Sequence, residues 1–357
     1  MSLSATYREC WERTVGSKGG VFVATATTLD PLMGLFTNSA ILSQSLRFTL
    51  RGLFGIELSI PECLVLLALF VLLPLCLMKN LDALAPFSAM GMGGVFIALT
   101  CMTMRYLDGS YLPGGAFHEE ILTEYRPQFG TDCHPWSFSV LPFLCMAFTS
   151  FDMHYNSPRF YTELKDASVP RFAAVCGSAF GVVSFLYLSI AVIGFLTFGE
   201  HSQSFILNNY SSHDPLAAVA RLSMGFSAML TYPLNFMGLR DNLLDLLGLT
   251  DKFNTQGKLR VFIVLLLCCC IFMACFITDL GLISSVGGGT SVALVAFVFP
   301  AIMFKEAVRN YYYLHGPGTD EKPGIWTQVE VWLVMSAMVV MVVLGISGVI
   351  SSIALGA

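Results

Sequence analysis

Residues 141–164, LPFLCMAFTSFDMHYNSPRFYTEL, begin as an apolar helix and then place Thr149, Ser150, Asp152 and His154 in succession. A bilayer offers no water to polar groups, so such residues at membrane depth must line a cavity or pack against protein. The stretch reads as a helix interrupted near its middle, with Thr149, Ser150, Phe151, Asp152 and His154 as candidate ligands of a small polar substrate. A second constellation recurs at four-residue spacing: Ser223, Ser227, Thr231 and Asn235. That spacing lines one broad helix face, and Pro233 deprives a nearby carbonyl of its donor. Hydroxyls and freed carbonyls are hard oxygen ligands, suited to Na⁺ or to a polar substrate group. Ser227 and Thr231 are therefore candidate cation residues, and ordinary interhelical hydrogen bonding is the plainer use of the same groups.

A third group is Asp30 followed by Pro31 inside an apolar run. The carboxylate either couples a proton or lines a cavity, or else it bonds to Thr27 and Thr28 at a structural kink. Enzymatic and metal chemistry find less support. His118-Glu119 opens like a zinc-protease motif, but Leu122 stands where the second His belongs. The eleven cysteines follow no metal-ligand spacing, and Cys133 is alone in its loop, without a disulfide partner there. Cys268, Cys269 and Cys270 read as small apolar residues of a span. The run Gly287-Gly288-Gly289 lacks the Lys of a phosphate loop.

The elements that must carry these residues are membrane helices. Of 357 residues, 55% are hydrophobic and 12% charged, with a mean hydropathy of +0.70; a soluble domain carries about twice that charged fraction. Nine segments approach the roughly 20 residues of a helical crossing: 20–46, 61–78, 84–105, 137–153, 170–198, 215–237, 259–278, 281–303 and 327–353. Residues 1–19 contain no apolar core, so the first span has to act as the signal anchor. With the N-terminus in the cytoplasm, fourteen of the nineteen Lys and Arg fall on the inner side, the orientation favoured by the positive-inside rule. An odd number of spans then puts the C-terminus outside. Gly91, Gly93 and Gly94 predict close helix contact, and Gly177 with Gly181 predicts a contact face within the bundle. Asn209-Tyr210-Ser211 is an N-glycosylation acceptor on the outer side.

Several stretches together resemble the amino acid/auxin permease family, which includes sodium-coupled neutral amino acid transporters and vacuolar amino acid transporters. The matching stretches are Pro74-Leu75-Cys76-Leu77 with Lys79-Asn80-Leu81-Asp82, Phe148 through Leu164, and Gly194-Phe195-Leu196-Thr197-Phe198-Gly199. Asn208 through Tyr210, Asp214-Pro215 and Arg221-Leu222 continue the likeness. Thr231 and Pro233 match the family's T-x-P, whereas Met237-Gly238-Leu239-Arg240 keeps the Arg but not the Pro of its F-P-x-R. The resemblance implies an all-α integral membrane protein: a single transporter domain over 1–357, with an eleven-helix, five-plus-five inverted-repeat (LeuT-like) bundle. Residues 141–164 correspond to the family's sixth helix and the first span here to its third. Nine helices, with two wanting at the front, are expected, and hence a chain N-terminally incomplete relative to the family.

The implied function is secondary active transport of amino acids by alternating access, coupled to Na⁺ or H⁺ and without a cofactor. The membrane is the plasma membrane or a vacuolar or lysosomal one, and the partners are amino acid and lipid. The rival readings are a non-transporting amino acid sensor or scaffold of the same fold, and an inactive truncated remnant. Uphill flux in liposomes separates a transporter from either.

Overall fold

The computed structural model describes residues 6–77, 85–130, 140–250, 252–253, 255–315 and 325–355. The Lys79-Asn80-Leu81-Asp82 turn and Cys133 lie outside them. The described chain is helical; among these residues β-pairing is confined to one bridge between Gln128 and Gly199.

The helices are α1 (Tyr7–Thr14), α2 (Gly20–Phe54), α3 (Ile60–Leu67), α4 (Leu73–Cys76), α5 (Ala85–Leu107), α6 (Val140–Ser150) and α7 (Ser157–Glu163). After them come α8 (Val169–Phe198), α9 (Pro215–Leu246), α10 (Gln256–Ala274), α11 (Leu280–Gly287), α12 (Phe299–His315) and α13 (Ile325–Leu355). A π-helical turn over Ala68–Leu72 joins α3 to α4, and two more, Gly288–Val292 and Leu294–Val298, join α11 to α12. Six stretches are long and apolar enough to cross a membrane: Gly20–Phe54, Met90–Leu107, Val169–Phe198, Gly257–Ala274, Leu280–Asn310 and Thr327–Ala354. Of the other three expected spans, Ile60–Cys76 is a shorter apolar helix, α6 has 11 residues, and α9 has 32 but is less apolar.

The scaffold is the pair α2 and α9. With 35 residues, α2 rises about 52 Å, well beyond the roughly 30 Å of hydrocarbon in a bilayer. It stops at Gly55, whose left-handed backbone (φ 65°) returns N–H bonds to Leu50 and Arg51. Pro31 inside α2 cannot donate to the Thr27 carbonyl, and Asn242 of α9 supplies the missing donor at 2.6 Å. The two helices run antiparallel: Thr27 meets Asn242, Gly34 meets Asn235, Asn38 meets Thr231, and Ser45 meets Gly225. Each step along one is matched by a step back along the other that is equal to within one residue. On its other flank α9 packs against α5, where Gly91 lies on Ser227 and Gly94 on Ser223, small residues that let backbones approach.

The Gly177 and Gly181 pair turns out differently. A side chain added at either would meet nothing within 4 Å, so the expected contact face is open. The reason is that α8 lies at the periphery, with apolar residues such as Phe185 and Leu188 exposed. Asn209 is fully buried; its amide receives the Gln203 N–H at 2.8 Å and donates to the His201 carbonyl at 2.7 Å. A glycan has no access to that nitrogen.

Candidate functional site

The interruption expected in 141–164 is present. Helix α6 ends at Ser150, residues 151–153 leave the helix, and a short 3₁₀ turn at His154–Asn156 leads into α7. Local chemistry explains the break. Asp152 turns its carboxylate onto the backbone N–H of His154 at 3.2 Å, the Asx geometry that competes with helix. Pro158 then restarts the helix as an N-terminal residue of α7.

Packing holds the break from three sides. Thr149 donates its hydroxyl to the Ser284 carbonyl of α11 at 2.5 Å. The glycines that follow α11 allow this approach, since a Cβ at Gly288 would collide with the Cys145 carbonyl and the Thr149 hydroxyl. The Phe151 ring packs edge-on to Tyr187 of α8, centroids 5.4 Å apart, with Phe180 alongside. Tyr155, buried, donates its hydroxyl to Asn235 of α9 at 3.2 Å, and its ring lies against Gly238.

The five candidate substrate residues therefore sit together but do different things. Ser150 is exposed and its hydroxyl turns back to the Met146 carbonyl at 2.9 Å. Asp152 points inward, its Oδ1 3.5 Å from Nδ1 of His154. The His154 ring lies tilted against Phe180, centroids 6.2 Å apart. The four-residue stripe of α9 is divided between two neighbours. Ser223 and Ser227 face the glycines of α5, whereas Thr231 accepts from Asn38 of α2 at 3.4 Å and donates to the Ser227 and Ala228 carbonyls. The link from the stripe to the break runs through Asn235 and Tyr155.

Sequence reasoning did not single out Asn38 or Tyr155, and read Ser284 through Ser291 as a flexible polar entry to a span. Asn38 carried a signal, because Asp30, Gly34 and Asn38 are spaced by four on one face of α2. Asp30 lies at the same depth as the break, facing Asp152 and Ser291. Thr27 and Thr28 do not bond to it; their hydroxyls go to the Val23 and Ala24 carbonyls at 3.0 and 2.6 Å. A cavity of about 120 Å³ opens between α2 and the π turns, lined by Thr25, Leu29, Met33, Thr290, Ser291 and Leu294 among others. Nearby lies α1, where burial holds the Tyr7 phenol above its ordinary pKa. Its hydroxyl stays a donor and bonds the Val295 carbonyl at 2.7 Å. Among the described residues no group of His, Cys, Asp and Glu could hold a metal ion.

The family model described as "Transmembrane amino acid transporter protein" matches residues 2–354. The chain belongs to that family. Sodium-coupled neutral amino acid transporter 7 of Rattus norvegicus is 26% identical over 293 residues, covering 78% of this chain and 57% of the relative. The protein of the same name from Mus musculus gives the same figures. The chain thus spans little more than half the length of these curated relatives. Every candidate residue, from Asp30 to Ser291, falls inside the segment matched to the transmembrane amino acid transporter family.

Proposed function

We propose that this protein moves amino acids across a membrane by secondary active transport, coupled to Na⁺ or H⁺. Nine helices cross the bilayer with the N-terminus in the cytoplasm, as part of a five-plus-five inverted-repeat bundle. The observation that carries this reading is the break at 151–153. Backbone out of helix at membrane depth is tolerated where it lines a cavity, and broken helices near the midplane are where transporters bind substrate. Thr149, Ser150 and Phe151 line the substrate position, with Asp152 and His154 shaping the vestibule on the inner side. Ser227 and Thr231 hold or gate the cation on α9. The relatives' name, sodium-coupled neutral amino acid transporter, supports a neutral amino acid as cargo and Na⁺ as one coupling ion.

Alternating access then amounts to rocking of the broken helix and its neighbours α11 and α13 against the α2–α9 scaffold. The test is uptake of labelled neutral amino acids into proteoliposomes under imposed Na⁺ and H⁺ gradients. Uphill accumulation that fails in Phe151→Ala at equal reconstitution is the expected result. Specific binding without any uphill flux would make the protein a sensor or scaffold instead.

A further inference from the structure

Asp30 is 2% exposed, and neither of its carboxylate oxygens meets a hydrogen-bond donor. Burying a charged carboxylate without donors is costly. Its nearest hydroxyl neighbours in the chain, Thr27 and Thr28, are committed to backbone carbonyls. Ser291 lies alongside, but its hydroxyl donates to the Gly287 carbonyl at 3.3 Å. What faces Asp30 is a second acid, Asp152, projecting from the break.

The other titratable groups around the pair can be named element by element. Tyr7 faces it from α1 and Tyr155 from the turn after the break. Their hydroxyls are already given to the Val295 carbonyl and to Asn235. Among the described residues neither acid forms an ion pair with Lys or Arg. The adjoining basic group is His154, 3.5 Å from Asp152, whose Nδ1 has no hydrogen-bond partner and whose side chain is 35% exposed.

Two carboxylates side by side, one of them buried without a hydrogen bond and neither paired with Lys or Arg, resist being charged together. We propose that Asp30 and Asp152 form a proton-binding pair, with one proton shared between the scaffold helix α2 and the broken helix, and with His154 as its relay to the inner side. Binding a proton makes an O–H on one carboxyl that donates to the other; release restores two carboxylates. A metal cation fits less well. Hard cations gather about six oxygen ligands, and the local hydroxyls point elsewhere. On release, like charges face each other across α2 and the break. The scaffold is held along its length by α9, so the break is the side that moves. Proton occupancy and the position of the broken helix are thereby linked. The coupling role rests on the transport reading above; the proton site itself does not.

The experiment is infrared difference spectroscopy of the full chain in lipid nanodiscs, titrated from acid to alkaline pH in H₂O and D₂O, for wild type, Asp30→Asn and Asp152→Asn. Wild type should show a protonated-carboxyl band that shifts in D₂O and disappears as pH rises; Asp30→Asn should remove it, and Asp152→Asn should change its frequency and the pH at which it disappears. Should Asp30→Asn fail to fold, Asp152→Asn and the wild-type titration carry the same test. A wild type lacking the band, or a band unchanged in a folded variant, would overturn the pair. So would loss of the band at constant pH when NaCl replaces choline chloride, because the site would then hold Na⁺. Failure of the transport reading appears separately: the band behaving as expected in protein that shows no uphill uptake leaves the proton pair standing.

Discussion

Two buried charges sit on the facing helices α2 and α9, and they are treated in opposite ways. Arg221 is 0% exposed, yet its guanidinium donates to the carbonyls of Leu207, Tyr210 and Ser211 at 2.8, 2.7 and 3.2 Å and lies over the Phe48 ring. Beside it Asp214 caps α9, binds Arg105 at 2.6 Å and accepts the Tyr111 hydroxyl at 2.8 Å. Asp30, at the other end of the pair, has no donor at all. A buried charge held by three carbonyls, with only its Nε unpaired, fixes one geometry, while one with no partner persists only where a proton, ion or movement relieves it. The Arg221 end is a lock and the Asp30 end is where the molecule changes state.

The comparison breaks first at Asp214. Asp214→Ala removes the α9 cap, takes from Tyr111 its acceptor and leaves Arg105 with Asp108 and Ser110. Losing one member of a buried pair costs about 3–5 kcal/mol, so the variant should give little folded protein by size-exclusion chromatography. Asp30→Asn, whose amide can donate to Asp152 where the shared proton did, should keep its yield. Equal yields for the two variants would erase the distinction between lock and working end.

Much of the working end was legible in the sequence. The run Thr149-Ser150-Phe151-Asp152 betrayed the break because polar residues inside an apolar helix have few other uses. Asp30 stood out for the same reason. The α9 stripe was misleading in a specific way. Four residues turn a helix about 40° past one full revolution, so Ser223 and Asn235 differ by about 120° and reach different neighbours. Which neighbour each would meet depends on α5 and α2, and no local pattern encodes that. The Asn209 tripeptide failed similarly, since its burial is created by residues 201–203 folding over it. The length of the nine segments was readable, whereas among the described residues six are long and apolar enough to span by themselves, because Ile60–Cys76 is short, α6 is cut short by the break and α9 is diluted by its polar face.

A smaller effect sharpens the same comparison at the glycines. A Cβ at Gly288 would run into the Cys145 backbone of α6, whereas one at Gly177 would meet open space. Overpacking a tight contact costs about 1–3 kcal/mol. Gly288→Ala should therefore lower the thermal midpoint in nanodiscs and Gly177→Ala should leave it unchanged. If both behave alike, the close approach of α6 to the π turn is not what seats the break.

The smallest effect on stability is expected at Thr231, between the two ends. Its hydroxyl donates to the carbonyls of Ser227 and Ala228 and accepts from Asn38 at 3.4 Å, a long and weak bond. The donated bonds stay within its own helix, so Thr231→Ala removes one interhelical contact, worth about 0.6 kcal/mol in membrane proteins. A shift that small leaves folded yield intact, which makes the variant a clean probe of ion binding. If the Thr231 oxygen contributes to a cation site, the Na⁺ concentration giving half-maximal uptake should rise in Thr231→Ala at equal reconstitution. The pH dependence, governed by Asp30 and Asp152, should stay as in wild type. Superimposable Na⁺ curves would instead make Thr231 a packing residue beside Asn38, and would move the search for coupling wholly to the acid pair. A changed pH profile with an unchanged Na⁺ curve would show that α9 reports on the acid pair through Asn235 and Tyr155, and would join the two ends that the structure separates.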